Sequence, residues 1–145
     1  MSLDLFVILA AAQAPDVDRW NKALAATRSP ATLVEVNDLS THTGFLPVLI
    51  DGQRTGFEFY RSESLSDLAA HYPVLSRLKV EKPVVYQLVY HGDFRECAAA
   101  FYSASVLVAK FGGTALESQG GVIMGASDLL NAAAECQKSA EEESK

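Results

Sequence analysis

The sequence predicts an α+β fold, a mostly antiparallel sheet with two β-hairpins packed by about four helices, and three observations predict it. Residues 44–61, GFLPVLIDGQRTGFEFYR, place two apolar-rich runs on either side of the polar segment Asp51-Gly52-Gln53-Arg54, the pattern of a hairpin. A second pair of short strand-like runs, Ala115 to Glu117 and Val122 to Met124, brackets Ser118-Gln119-Gly120-Gly121. Helical segments are interspersed among these runs without the regular strand–helix alternation of a doubly wound parallel fold.

Each element has a local reason. Leu3 to Leu9 is a nearly continuous apolar run, as expected of a central strand covered on both faces. After Pro15, Asp16 is placed to cap a helix whose Val17, Trp20 and Leu24 share one face, and Ser29-Pro30 stops it. Thr32 to Val36 is β-branched and reads as a short strand, followed by a polar connection, Asn37 to Thr43, that contains His42. In the second arm of the hairpin Phe57 and Phe59 point one way and Glu58 and Tyr60 the other, because strand side chains alternate.

Ser64 to Tyr72 reads as a second helix, with Ser64 as its cap and Leu65, Leu68 and Tyr72 inward; Val74, Leu75 and Leu78 are compatible with a further turn. Val84 to Tyr90 alternates cleanly as a strand, and His91-Gly92 breaks it. Asp93 then caps a long helix to about Phe111, with Glu96 expected to complete a capping box. Its inward stripe is Phe94, Cys97, Ala98, Phe101, Ser105 and Val108, and Gly112-Gly113 ends it through the left-handed geometry that glycine permits. Ser127 is the expected cap of the last helix, packed through Leu129, Leu130 and Ala133. A single globular domain over residues 1–138 and a polar, flexible tail over 139–145 complete the layout.

Composition narrows the function. The 145 residues are 49% hydrophobic and 21% charged, in the range of a folded globular chain. A formal charge of −6, from 18 acidic and 12 basic residues, argues against a surface that tracks nucleic-acid phosphates. The apolar opening has no basic segment before it and falls far short of the roughly 20 residues that span a bilayer, so neither a signal peptide nor a membrane role is expected. Cys97 and Cys136 sit in helical patterns outside any Cys-x-x-Cys pair and are expected to be reduced and buried in a cytoplasmic protein.

No catalytic or cofactor signature emerges. The glycine pairs lack the spacing of a phosphate-binding loop, there is no Gly-x-Ser-x-Gly elbow, and three histidines provide no metal-ligand spacing. No cofactor and no metal are expected. His91, Asp93 and Glu96 lie at a strand end and helix start, a geometry that would suit a small enzyme site. Glu58 and Tyr60 present an acid and a phenol on the side of their strand away from the core, as contact residues do, or as a cross-strand pair and a sheet rim do. Asp51, Arg54 and Glu63 extend that polar edge, and His42 approaches it from the loop.

The succession MSLDLFVILA, DRWNKAL, THTGFLPVLIDGQRTGFEFY and, after the long helix, FGGTALESQGGVIMGASDLL resembles small bacterial immunity proteins in its layout over most of the chain. The resemblance implies a cytoplasmic, non-enzymatic protein that binds a cognate antibacterial effector toxin, such as one delivered by type VI or contact-dependent secretion, and occludes its active site. Glu58 and Tyr60, with Asp51, Arg54, Glu63 and His42, would then be the toxin-binding residues. Two other classes stay open beside it: an adaptor or homodimer joined through an exposed sheet edge, and a small enzyme using His91, Asp93 and Glu96.

Overall fold

The apolar run at the start of the chain becomes the strand around which the sheet is built. A computed structural model describes residues 2–34 and 36–144. In chain order it contains β1 (Leu3–Ala10), α1 (Val17–Ala26), β2 (Ala31–Leu33), β3 (Gly44–Ile50), β4 (Gln53–Ser62), α2 (Leu65–His71), β5 (Pro83–Tyr90), α3 (Phe94–Phe111), β6 (Thr114–Glu117), β7 (Val122–Met124) and α4 (Ala126–Glu143). Short 3-10 turns occupy Ala11–Gln13 and Pro73–Leu75. The seven strands form one antiparallel sheet in the order β2-β3-β4-β5-β1-β6-β7, so β1 is interior, paired with β5 on one side and β6 on the other. The α+β architecture and both hairpins are as the sequence predicts.

The first hairpin closes through a two-residue turn, Asp51-Gly52, with Ile50 opposite Gln53. Both turn residues have positive φ, 48° and 81°, the backbone that matches the twist of a tight hairpin and that Asp-Gly tolerates. Gln53 and Arg54 therefore belong to β4 rather than to the turn.

Strand alternation sorts the side chains onto two faces. Leu5, Val7 and Leu9 of β1, Phe57 and Phe59 of β4, and Val84, Tyr86 and Leu88 of β5 turn toward α1 and α3 and form the main core. Trp20, fully buried, sits at its centre. Its indole stacks on Tyr86 at 5.9 Å and tilts against Phe59 at 6.3 Å, while its Nε1 donates to the Ser103 carbonyl at 2.9 Å. That hydrogen bond removes the cost of burying a polar N–H. Helix α3 is buried from Ala98 through Leu107 because the sheet lies on one side of it and α4 on the other. The opposite face of the sheet carries a smaller core, Ile8, Val85, Leu116 and Leu75, covered by Leu65, Leu68 and Ala69 of α2.

Several local expectations are corrected. Cys97 and Cys136 are not reduced: they form a disulfide between α3 and α4, spanning 39 positions of sequence. Their pairing follows from how the two helices dock, which neither helical pattern encodes. Ser64 makes no capping hydrogen bond, and α4 begins one residue before Ser127, with Gly125 N donating to Asp128 Oδ2 at 3.1 Å. Phe94 and Leu130, expected inward, are 37% and 44% exposed. The segment 139–143, expected as a polar tail, continues α4 with Ala140 buried, and Arg95 Nη2 donates to Ser144 Oγ at 2.8 Å. β2 ends at Leu33, short of the expected Val36, and Glu35 lies outside the described residues.

Candidate functional site

The sheet register lines up side chains that are far apart in sequence. Phe45 of β3 stands opposite Glu58 of β4, Glu58 opposite Val89 of β5, and Val89 opposite Asp4 of β1. The four share the face away from Trp20 and form one row across four strands, with neighbours about 4.8 Å apart. In the next row Tyr60, Gln87 and Phe6 stand side by side. Helix α2 covers the sheet beyond Phe6, where Tyr72 meets the Phe6 ring at 6.2 Å, and borders the Tyr60 end of β4; Phe45 on β3 is exposed.

A polar line crosses the exposed part. Tyr60 OH donates to Glu58 Oε1 at 2.7 Å, Glu58 Oε2 stands 3.4 Å from His91 Nε2, and Glu96 Oε1 lies 3.1 Å from His91 Nδ1. Glu96 also accepts from the His91 backbone N–H at 3.1 Å. It does not close the expected box on Asp93, because the bend at Gly92 brings His91 within its reach; Asp93 caps through Arg95 N at 2.7 Å. An imidazolium could donate to both carboxylates, a neutral ring to one. The His91, Glu58 and Glu96 side chains are 47%, 36% and 27% exposed, so water screens these pairs and they hold orientation more than stability. The hydrogen bond to Glu58 raises the Tyr60 phenol above its ordinary pKa, with desolvation and the carboxylate charge acting in the same direction.

Beside this line is an apolar surface. Phe45 is 57% exposed, and Val34, Pro47, Leu49 and Arg54 line a groove of about 570 Å³ with it. The Phe45 ring lies against the backbone of Gly56, where a Cβ would collide with the ring and with the Leu46 carbonyl. Gly56 has φ +155°, so the strand supplies both the space and the backbone geometry that let an aromatic ring lie flat there. The opposite end of the face holds a cleft of about 220 Å³ between α2 and the sheet, bordered by Phe6, Tyr60, Asp67, His71 and Gln87.

Of the six residues singled out from sequence as binding groups, the structure brings together Glu58, Tyr60 and Arg54 on this face. Asp51 is at the hairpin tip, accepting from Gln137 Nε2 at 2.9 Å. Glu63 borders a groove on the far side of α2 with Leu65 and Pro83. His42 turns its ring toward Phe59 on the main-core side and contacts the Phe45 carbonyl through Nε2 at 2.8 Å. His91 and Glu96, considered separately as an enzyme cluster, belong to the same line as Glu58. The register adds Phe45, Asp4 and the buried Val89 to the row. The apolar alternation of β3 shows that Phe45, Pro47 and Leu49 share a face, but nothing local says that this face stays open.

This part of the face sets hydrogen-bond donors and acceptors beside an exposed aromatic ring. Among the described residues, no lysine or arginine pairs with Asp4 or Glu58, and no group of three or more His, Cys, Asp or Glu is arranged to hold a metal. No helix among the described residues is long and apolar enough to cross a membrane. No family model, curated protein or solved structure matches this chain.

Proposed function

We propose that this chain is an immunity-type binding protein that neutralises a cognate antibacterial effector toxin by covering its active site with the open face of the sheet. The observation that supports the reading is the row Phe45, Glu58, Val89 and Asp4, in which an exposed ring lies on Gly56 and two carboxylates have no lysine or arginine partner among the described residues, Glu58 meeting His91 and Val89 being buried between the two acids. A rigid aromatic costs little entropy to immobilise and anchors an interface, while carboxylates speed encounter with a basic cleft and disfavour acidic partners. The protein supplies a surface, not a reaction.

The compartment depends on the cysteine pair. A bridged form suits oxidising surroundings, and the cytoplasmic encounter expected from sequence would meet the thiol form. A homodimeric adaptor is the second reading, favoured by the edge strand β7, where Val122 and Ile123 are 55% and 42% exposed. An enzyme ranks third, since His91 and Glu96 are engaged with each other and with Glu58 on a partly exposed surface.

The test is capture of a stoichiometric partner from the native host, followed by a growth assay showing that the captured protein is toxic and that this chain suppresses the toxicity. The double variant Glu58→Lys, Tyr60→Ala should bind that partner at least about tenfold more weakly, with thermal stability nearly unchanged. A partner without toxicity would sink the immunity reading, and full affinity in the folded variant would move the interface elsewhere.

A further inference from the structure

Helix α4 is tied to the rest of the molecule in an uneven way. Its packing is against α3, and over Ala126–Glu143 the buried residues are Leu129, Ala133 and Ala140, of which one is large. The side-chain hydrogen bonds that hold it lie at its outer half: Tyr102 OH donates to Gln137 Oε1 at 2.6 Å, Gln137 Nε2 to Asp51 Oδ2 at 2.9 Å, and Arg95 Nη2 to Ser144 Oγ at 2.8 Å. Between the Leu129 anchor and these bonds sits the Cys97–Cys136 bridge. Helix α3, by contrast, is buried continuously from Ala98 to Leu107 and also packs on the sheet strands β1, β3, β4, β5 and β6. If one helix of the pair is to move, it is α4.

Both cysteines are half-buried and border an open surface groove of about 370 Å³ with Tyr90, Phe101, Glu117 and Glu135. The bridge therefore borders an open groove at the surface and is not enclosed in the main core. Gln137, the neighbour of Cys136, joins Tyr102 to Asp51 at the tip of the β3–β4 hairpin, so the latch and the hairpin tip share one residue.

We infer that Cys97–Cys136 is a thiol–disulfide exchange site that works as a latch: in the bridged form α4 is clasped to α3, and reduction releases it. The reductant is a dithiol. One thiolate attacks a bridge sulfur, the S–S bond breaks, and the mixed disulfide is resolved by the second thiol; the dithiol leaves oxidised to its own disulfide, and Cys97 and Cys136 each carry a proton. Release frees the Gln137 contacts with Tyr102 and Asp51 and bares the outer stripe of α3. The inference does not depend on the immunity reading.

Hydrogen–deuterium exchange of the full chain tests it, comparing oxidised protein with protein reduced by dithiothreitol. Reduction should speed exchange of α4 amides by roughly thirtyfold or more, the size expected from losing a loop-closing bridge, while α3 and the sheet keep their protection. The variant Cys136→Ser should show the released pattern without reductant, and reoxidation of the wild type should restore the clasped one. Unchanged α4 exchange in fully reduced protein would overturn the latch. So would loss of protection everywhere at once, which would make the bridge a general staple.

Discussion

Strand β4 separates two environments one residue apart. Phe57 and Phe59 enter a core in which Trp20, Tyr86 and Phe59 contact one another and the Trp20 indole N–H donates to the Ser103 carbonyl. Glu58 and Tyr60, on the other side of the same backbone, meet half-exposed partners and water. The difference lies in coverage: α1 and α3 pack on one face, while α2 packs on the other around Ile8, Val85 and Leu116 and Phe45 stays exposed. A residue's contribution to folding should therefore depend on its face more than on its type, since removal from water is what makes an aromatic ring stabilising.

The sharpest test sets the two aromatic anchors against each other. Trp20→Ala should cost about 3–5 kcal/mol in denaturant unfolding, from lost burial and a cavity. Phe45→Ala, which removes a ring 57% exposed, should stay within about 0.5 kcal/mol of wild type. Equal costs would mean that the outer face is as closed as the inner one.

Gly56→Ala comes next. The new Cβ would strike the Phe45 ring and the Leu46 carbonyl at a φ of +155°, so a loss of about 1–3 kcal/mol is expected, with displacement of the ring visible as a change in its NMR shifts. A silent substitution would show that Phe45 is not held on that backbone.

The smallest effect separates the two tyrosines by pH. Burial pushes Tyr86 up to about 12, with its OH donating to the Pro15 carbonyl at 3.2 Å, whereas Tyr60 is raised mainly by its bond to Glu58. A phenol whose folded pKa exceeds its unfolded value stabilises the fold below the unfolded pKa, about 10, and loses that contribution as pH climbs through the folded one. Melting temperature should therefore fall between about pH 10 and 12, and Tyr86→Phe should flatten the decline more than Tyr60→Phe. The reverse order would place the stronger desolvation on the outer face.

Local chemistry accounts for much of the architecture. Asp16 caps α1 where expected, Val17, Trp20 and Leu24 are buried together, and Gly112 ends α3 with φ 70°. The Asp51-Gly52 turn, the alternation of β4 and β5 and the second hairpin follow from backbone preferences and period-two patterning, which act over a few residues and can be read there. Long-range docking decided the remainder. The Phe45–Glu58–Val89–Asp4 row exists because four strands align in register, His91 joins Glu58 because β5 ends beside β4, and Cys97 meets Cys136 because α4 folds back on α3. Helix α2 makes the last distinction. Its landing place over Ile8 and Val85 leaves Phe45 and Glu58 in water, and a strand pattern that tells which side chains share a face carries no information about what will lie above them.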